Sequence, residues 1–103
     1  MASIGTQRIV GTTSQEIVVE GGIIAMVACN DDASNDAVLK VSIQPSNETK
    51  ASVSNTHLVW KQIVAAKTTQ KFELTHIARI YLDEKEKLFA VSDRDVTFYL
   101  ILE

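Results

Sequence analysis

The feature that most constrains the fold is an alternation of apolar and polar side chains over residues 37–44, Ala-Val-Leu-Lys-Val-Ser-Ile-Gln. Successive side chains of a β-strand point to opposite faces, so this pattern predicts a half-buried strand. A helix would instead repeat its apolar positions every three or four residues. The face predicted to join the core consists of Ala37, Leu39, Val41 and Ile43.

Similar segments recur along the chain and are separated by polar or glycine-containing turns. They are rich in β-branched and aromatic residues, which pack well on a pleated surface. Trp60 is the largest side chain expected in the core. About eight short strands at regular spacing are typical of a sandwich or barrel. The other predicted strands cover residues 15–20, 23–29, 57–63, 71–75, 77–82, 88–91 and 96–102.

The sequence therefore predicts one all-β domain, an antiparallel β-sandwich that is either jelly-roll-like or immunoglobulin-like. Its 103 residues suffice for one hydrophobic core but not for two. We expect residues 1–13 to form an extended N-terminal arm and residues 14–103 to form the sandwich. The polar segment 46–56 is predicted to be a mobile loop or a docking segment. The last two strands are predicted to pair as a hairpin across residues 92–95.

Three predicted strands, residues 23–29, 77–82 and 98–102, are apolar on both faces. Because a two-layer sandwich covers only one face of each sheet, the second apolar face indicates an oligomer or a docking surface. A solvated monomer with ordinary exposed apolar residues is the alternative. The arm segment 4–10 is β-prone and can add a strand to a neighbouring molecule. The predicted interface residues are Ile4, Arg8, Ile9, Val10, Tyr99 and Ile101.

Net charge and hydropathy limit the kinds of partner that we expect this chain to bind. The chain has 10 basic and 13 acidic residues, a net charge of −3, and its basic residues do not cluster. We therefore expect no nucleic-acid partner, because phosphate binding needs clustered Lys and Arg. The apolar stretches are far shorter than the ~20 residues of a membrane-spanning helix, so we expect no membrane partner. The first residues lack the pattern of a secretion signal, and Cys29, the single cysteine, can form no internal disulfide.

Candidate catalytic and metal-binding residues are few and poorly spaced. His57 and His76 lack the short spacing of paired metal ligands, and Cys29 lies in an apolar segment, where a thiol behaves as a small hydrophobe. The acidic segment 31–36 lacks the glycine and the distant glutamate of a calcium-binding loop. The two aspartates of residues 93–95 are expected to serve a turn. The sequence predicts no catalytic residue, no cofactor and no metal, so we do not expect an enzyme.

The order of features resembles a known group of proteins. Residues 16–22 combine a strand with a Gly-Gly turn, residues 26–30 end in Cys-Asn, and the alternating strand 38–43 follows a polar loop. Residues 80–88 then step from apolar into charged residues before a predicted final hairpin at residues 91–103. This order resembles small β-sandwich structural proteins of tailed-phage virions, notably head decoration (cement) and related accessory proteins.

The match covers about residues 15–103 and has two departures. Such chains commonly have Pro-Ala-Gly where residues 65–67 are Ala-Ala-Lys, and Ala-Gly-Asp where residues 83–85 are Asp-Glu-Lys. The resemblance implies no catalytic residues. It implies a capsid decoration protein that stabilises the head by contacts with the major capsid protein or other virion proteins, as a homo-oligomer with a trimer favoured.

The resemblance also implies a location in the virion after synthesis in the host cytoplasm. Within this class, the alternative is a neck, tail or fibre component. Outside it, the alternative is a carbohydrate-binding β-sandwich module, which needs exposed aromatic residues. Trp60, Tyr81 and Tyr99 are the available candidates.

Overall fold

The protein is represented by a computed structural model that describes residues 3–4, 7–19, 21–49, 52–73, 80–82 and 85–102. Predictions that fall on residues 74–79 or 83–84, including that for His76, lie outside the described residues. The described part is all-β, as the alternation predicted, although the first long predicted strand, 15–20, is shorter in the structure. Its elements are β1 (Ser3–Ile4), β2 (Arg8–Val10), β3 (Gln15–Ile17), β4 (Ile23–Asn30), β5 (Ala37–Gln44), a 3-10 helix (Asn55–His57), β6 (Leu58–Val64), β7 (Thr68–Glu73), β8 (Lys87–Ser92) and β9 (Val96–Leu102).

The strands form two antiparallel sheets with the core between them. Sheet A has the order β1-β9-β4-β7, with β2 also paired to β9, and sheet B has the order β3-β8-β5-β6. The pairing is nested, since β2 pairs with β9, β3 with β8, β4 with β7, and β5 with β6. A long hairpin wrapped in this way into two sheets is a jelly roll. The structure confirms the predicted β-sandwich. Its strand order is that of a jelly roll, the first of the two predicted topologies.

The predicted hairpin between the last two strands is wrong. β8 belongs to sheet B and β9 to sheet A, so residues 93–95 form a corner between the sheets. Asp93 holds this corner, because its carboxylate accepts a hydrogen bond from the Val38 N–H at 2.8 Å and its own N–H donates to the Val38 carbonyl at 3.3 Å. Local turn chemistry cannot distinguish the two arrangements, since aspartates satisfy backbone amides in both.

The core is built from the inward faces of both sheets. Trp60 on β6 is buried, as predicted, and its ring centroid lies 5.7 Å from that of Phe72 on β7. Because β6 and β7 are edge strands of opposite sheets, this ring pair closes one side of the sandwich. The largest fully buried apolar side chains are Phe98, Ile23, Met26, Leu39, Leu88, Val10, Val41, Val64 and Val96.

A polar segment, residues 45–49 and 52–57, packs on the outer face of β5. The Ser54 N–H donates to Ser42 Oγ at 3.3 Å, and Gln44 Nε2 donates to the Glu48 carbonyl at 2.7 Å. Ser42 and Gln44 are therefore buried, although alternation points them away from the core. The sequence predicted a mobile loop or docking segment here, whereas the described residues cover part of sheet B.

The N-terminal segment adds a strand to the chain's own sheet. Residues 8–10 pair with residues 96–98 of β9, so this part of the predicted arm belongs to sheet A. Arg8 Nη1 also donates to the Glu16 carbonyl at 3.4 Å, which ties the segment to the first strand of sheet B. The sequence predicted strand addition to a neighbouring molecule, but residues 8–10 already have a partner within the chain.

Candidate protein-interaction surface

The side chains of β7, β4 and β9 that point away from the core form the outer face of sheet A. Val27 on β4 lies opposite Tyr99 on one side and Lys71 on the other, and Ala25 lies opposite Ile101. Directly opposite residues share a face, so these positions make one surface. It comprises Thr69, Lys71 and Glu73 on β7, Ala25, Val27 and Cys29 on β4, Thr97, Tyr99 and Ile101 on β9, and Ile9 on β2.

The centre of this face is apolar. β4 directs Ala25, Val27 and Cys29 outward, which accounts for the apolar character of both of its faces. Ala25 and Val27 are only 4% exposed, because larger side chains on both neighbouring strands flank them. The predicted second apolar face is therefore present on β4 and continues onto β9.

Three of the six predicted interface residues lie on this face. Ile9 pairs with Thr97 and is 55% exposed, while Tyr99 and Ile101 are half-buried. The backbone of Ile4 pairs with that of Ile101. The structure thus brings together residues from both ends of the chain.

Two predicted interface residues point the other way. Val10 is fully buried in the core, so its side chain cannot contact a partner in this fold. Arg8 is half-buried and reaches toward β3. Because side chains alternate along β2, Ile9 lies on the opposite face from both neighbours. The sequence analysis assigned Arg8, Ile9 and Val10 to the interface because all three lie in the predicted arm. In the structure, β2 directs Ile9 to one face and its two neighbours to the other.

The edge of the outer face of sheet A carries one positive and one negative side chain, which form an ion pair. Lys71 Nζ lies 2.6 Å from Glu73 Oε1, and both side chains are well exposed. An exposed pair of this kind adds little stability. An apolar centre with a polar rim is the usual composition of a protein-binding surface.

The residues weighed for chemistry serve local structure. His57 Nε2 lies 3.1 Å from Glu48 Oε1, which joins the two ends of the polar segment over β5. Asp32 accepts hydrogen bonds from the Ser34 and Asn35 N–H groups, and these bonds, led by that of Ser34, lower the pKa of Asp32. Within the described residues, no group of three or more His, Cys, Asp or Glu side chains could hold a metal ion.

The aromatic residues differ in their access to a ligand. Trp60 is buried in the core and is unavailable for stacking on a sugar. Tyr81 is 64% exposed and lies so close to Gly22 that a Cβ atom there would be 2.8 Å from its ring. Tyr99 is half-buried on the outer face of sheet A. Tyr81 is therefore the most accessible ring of the three.

Sequence reasoning missed the outer face of sheet B. Lys61 on β6 lies directly opposite Lys40 on β5, and Ile63 lies opposite Val38. Ile63 is 59% exposed. The alternation of β5 predicted that Lys40 faces outward, but no local signal tells which strand lies beside it.

The geometry defines an all-β jelly-roll domain with an apolar outer sheet face. The chain matches no known protein family, and no curated protein or solved structure matches it either. In the part of the chain that the structure describes, no helix has the length and apolar character needed to cross a membrane.

Proposed function

We propose that the chain is a non-enzymatic structural protein of a phage particle, a decoration or cement protein that stabilises the head through the outer face of sheet A. The observation that carries the proposal is the row formed by Ile9, Tyr99 and Ile101 around the nearly buried Ala25 and Val27. An apolar surface is expected to be covered by protein in the working assembly.

The turn between β6 and β7 supports the resemblance to virion proteins. Those chains commonly have glycine at the position of Lys67. Lys67 has a φ of 57°, in the left-handed region that glycine adopts without steric cost. The backbone requirement is therefore the one expected of the resembled chains, although the residue is different.

The jelly roll is compatible with this role but does not determine it. Jelly rolls occur in viral capsid proteins, in lectins and in cupins, and a fold hosts many functions. The proposal therefore depends on the surface. A neck, tail or fibre component would use the same apolar face and differ only in the virion protein that it contacts.

We propose a symmetric homo-oligomer, with a trimer favoured, located in the virion. In such an assembly each copy presents the same face to an equivalent neighbour or capsid site. Light scattering coupled to size exclusion tests this part alone. A monodisperse monomer at high concentration would reject self-association and leave capsid binding open.

A carbohydrate-binding module is the second candidate, and the exposed ring of Tyr81 favours it. Sugar recognition commonly uses an accessible aromatic ring that offers an apolar face. Glycan-array screening of the wild type and Tyr81→Ala separates the candidates. Saturable binding that is lost in Tyr81→Ala supports the module, whereas no bound glycan supports the structural role.

The direct test is the composition and repair of the particle. Mass spectrometry of purified particles should find the chain in a fixed ratio to the major capsid protein. Particles stripped of it should rebind the wild type but not Ile101→Lys, while Lys71→Gln at the polar rim should rebind normally. Absence from particles would reject the virion setting, and normal rebinding of Ile101→Lys would reject the surface.

A further inference from the structure

We infer that the free edge of β6 is a docking site for an extended partner strand that places an acidic residue beside Lys61 and an aliphatic residue beside Ile63. This edge belongs to sheet B and is separate from the outer face of sheet A. It adds a partner chemistry to the proposed function without depending on the virion setting.

Within the described residues, the backbone of β6 directs groups outward at this edge, where no other strand pairs with them. Val38 directs its N–H and its carbonyl to Asp93, at 2.8 and 3.3 Å, which is away from β6. In an antiparallel ladder, the residue opposite Val38 then makes no bonds to it and points its own groups outward. That residue is Ile63, and Lys61 follows the same alternation.

A side-chain contact agrees with this assignment. Gln62 Nε2 donates to the Ile63 carbonyl at 2.9 Å, so a side chain bonds the outward oxygen where no strand supplies a donor. Within the described residues, sheet B ends at β6. The edge can therefore accept main-chain hydrogen bonds from an added strand.

The side chains beside this edge favour an acidic partner. Lys40 and Lys61 lie directly opposite each other, and like charges in opposite positions destabilise a sheet. Lys71 and Lys87 each lie within 4 Å of a carboxylate, at 2.6 and 3.8 Å. In the described part of the chain, Lys40 and Lys61 have no such partner, and Lys40 Nζ has only Asn55 Oδ1 at 3.5 Å.

The same face adds an apolar contact. Ile63 is two residues from Lys61 along β6 and is 59% exposed, with the half-buried Val38 opposite it. A partner strand repeats its side chains on one face with the same spacing of two. It can therefore bring a carboxylate to Lys61 and an aliphatic group to Ile63 at once.

Lys40 and Lys61 also disfavour the pairing of β6 with the β6 strand of a second copy of the chain. That arrangement would bring two further lysines to a surface that already holds an uncompensated pair. Lysine on an edge strand discourages indiscriminate pairing, so the edge is selective for acidic strands. A partner protein with an alternating acidic and aliphatic strand is the occupant that the surface fits.

The test is an NMR titration of the full chain with two capped peptides, Ser-Val-Thr-Glu-Thr-Ser and its analogue with lysine in place of glutamate. The glutamate peptide should shift the backbone amides of Lys61 and Ile63 and protect them from exchange. The lysine peptide should bind at least about fivefold more weakly, as expected for replacing an attractive cross-strand charge pair with a repulsive one.

Charge reversal supplies the matched control. Lys61→Glu should exchange the two preferences, whereas Lys71→Glu, also on an edge strand, should leave them unchanged. A glutamate peptide methylated on its backbone nitrogens should not bind, because it cannot pair with the edge. Equal binding of both charged peptides, shifts confined to another surface, or binding of the methylated peptide would each overturn the inference, and none of these results bears on the outer face of sheet A.

Discussion

The Trp60 ring centroid lies 5.7 Å from that of Phe72, with the two planes tilted by 41°. Trp60 comes from the last strand of sheet B and Phe72 from the last strand of sheet A. Tilted aromatic pairs at this separation attract each other beyond the area they bury. The pair therefore joins the two sheets at the side where a short turn connects β6 to β7.

Truncation of either ring should destabilise the sandwich. Trp60→Ala should lower the free energy of unfolding by about 3–5 kcal/mol, because it removes a large buried side chain. Phe72→Ala should cost less, since Phe72 is only partly buried. Urea denaturation of both single variants and the double variant should give a coupling energy of about 0.5–1.5 kcal/mol. Additive effects would show that the rings act independently.

A substitution in the turn that follows β6 should increase the stability of the fold. Lys67 has a φ of 57°, which costs a residue with a Cβ atom about 1 kcal/mol relative to glycine. Lys67→Gly should therefore raise the free energy of unfolding by up to about 1 kcal/mol. Lys67→Ala, which loses the same charge but keeps the Cβ atom, is the control and should bring no comparable gain in thermal unfolding. Equal melting temperatures for the two variants would contradict a backbone origin.

The sequence correctly predicted the features of the fold that depend on the residue pattern of a single strand. The alternation of β5 predicted correctly that Ala37, Leu39 and Val41 are buried, and the doubly apolar pattern of β4 predicted a second apolar face. Each follows from the period of two along a single strand. The core role of Trp60 was predictable for a similar reason, since a large aromatic ring gains most from burial.

The parts that could not be predicted depend on which strands become neighbours. Aspartates around residues 93–95 indicate a turn but do not say whether it joins two strands of one sheet or crosses between sheets. The burial of Ser42 and Gln44 depends on a distant polar segment, and the opposition of Lys40 and Lys61 depends on the β5–β6 register. These relationships arise from tertiary pairing, which local propensity does not encode.

Asn30 is a buried polar residue whose hydrogen bonds must be satisfied within the protein. Its side chain is fully buried, and its Nδ2 donates to the carbonyls of Asn35 and Val64 at 2.8 and 2.9 Å. Asn30→Asp should lower the free energy of unfolding at neutral pH by about 3 kcal/mol or more, because a carboxylate faces two carbonyl oxygens. The destabilisation relative to wild type, measured by urea denaturation, should shrink at acidic pH, where the carboxyl is protonated. A pH-independent difference would exclude this cause.

The loop after β4 should make folding stability depend on pH. Hydrogen bonds from the Ser34 and Asn35 N–H groups hold the pKa of Asp32 below its ordinary value of 3.8. A carboxylate with a depressed folded-state pKa stabilises the fold above the unfolded-state pKa and loses that effect as pH falls through the folded-state pKa. Wild type should therefore lose stability below about pH 4 more steeply than Asp32→Asn, whose amide oxygen still accepts these bonds. Identical acid profiles in urea denaturation would contradict the assignment, and NMR titration of the Asp32 carboxyl measures the pKa directly.

Neighbouring residues of β2 give the sharpest test of the outer face of sheet A, because they separate stability from binding. Val10→Ala should lower the free energy of unfolding by about 2 kcal/mol, since Val10 is fully buried. Ile9→Ala, at 55% exposure, should change stability by less than about 0.5 kcal/mol but weaken self-association or particle binding, measured by light scattering and co-sedimentation. Loss of binding in Val10→Ala at a temperature where it remains folded, with normal binding in Ile9→Ala, would place the interaction elsewhere. The opposite result would assign it to the outward face, because the two side chains belong to one strand and differ chiefly in the face they occupy.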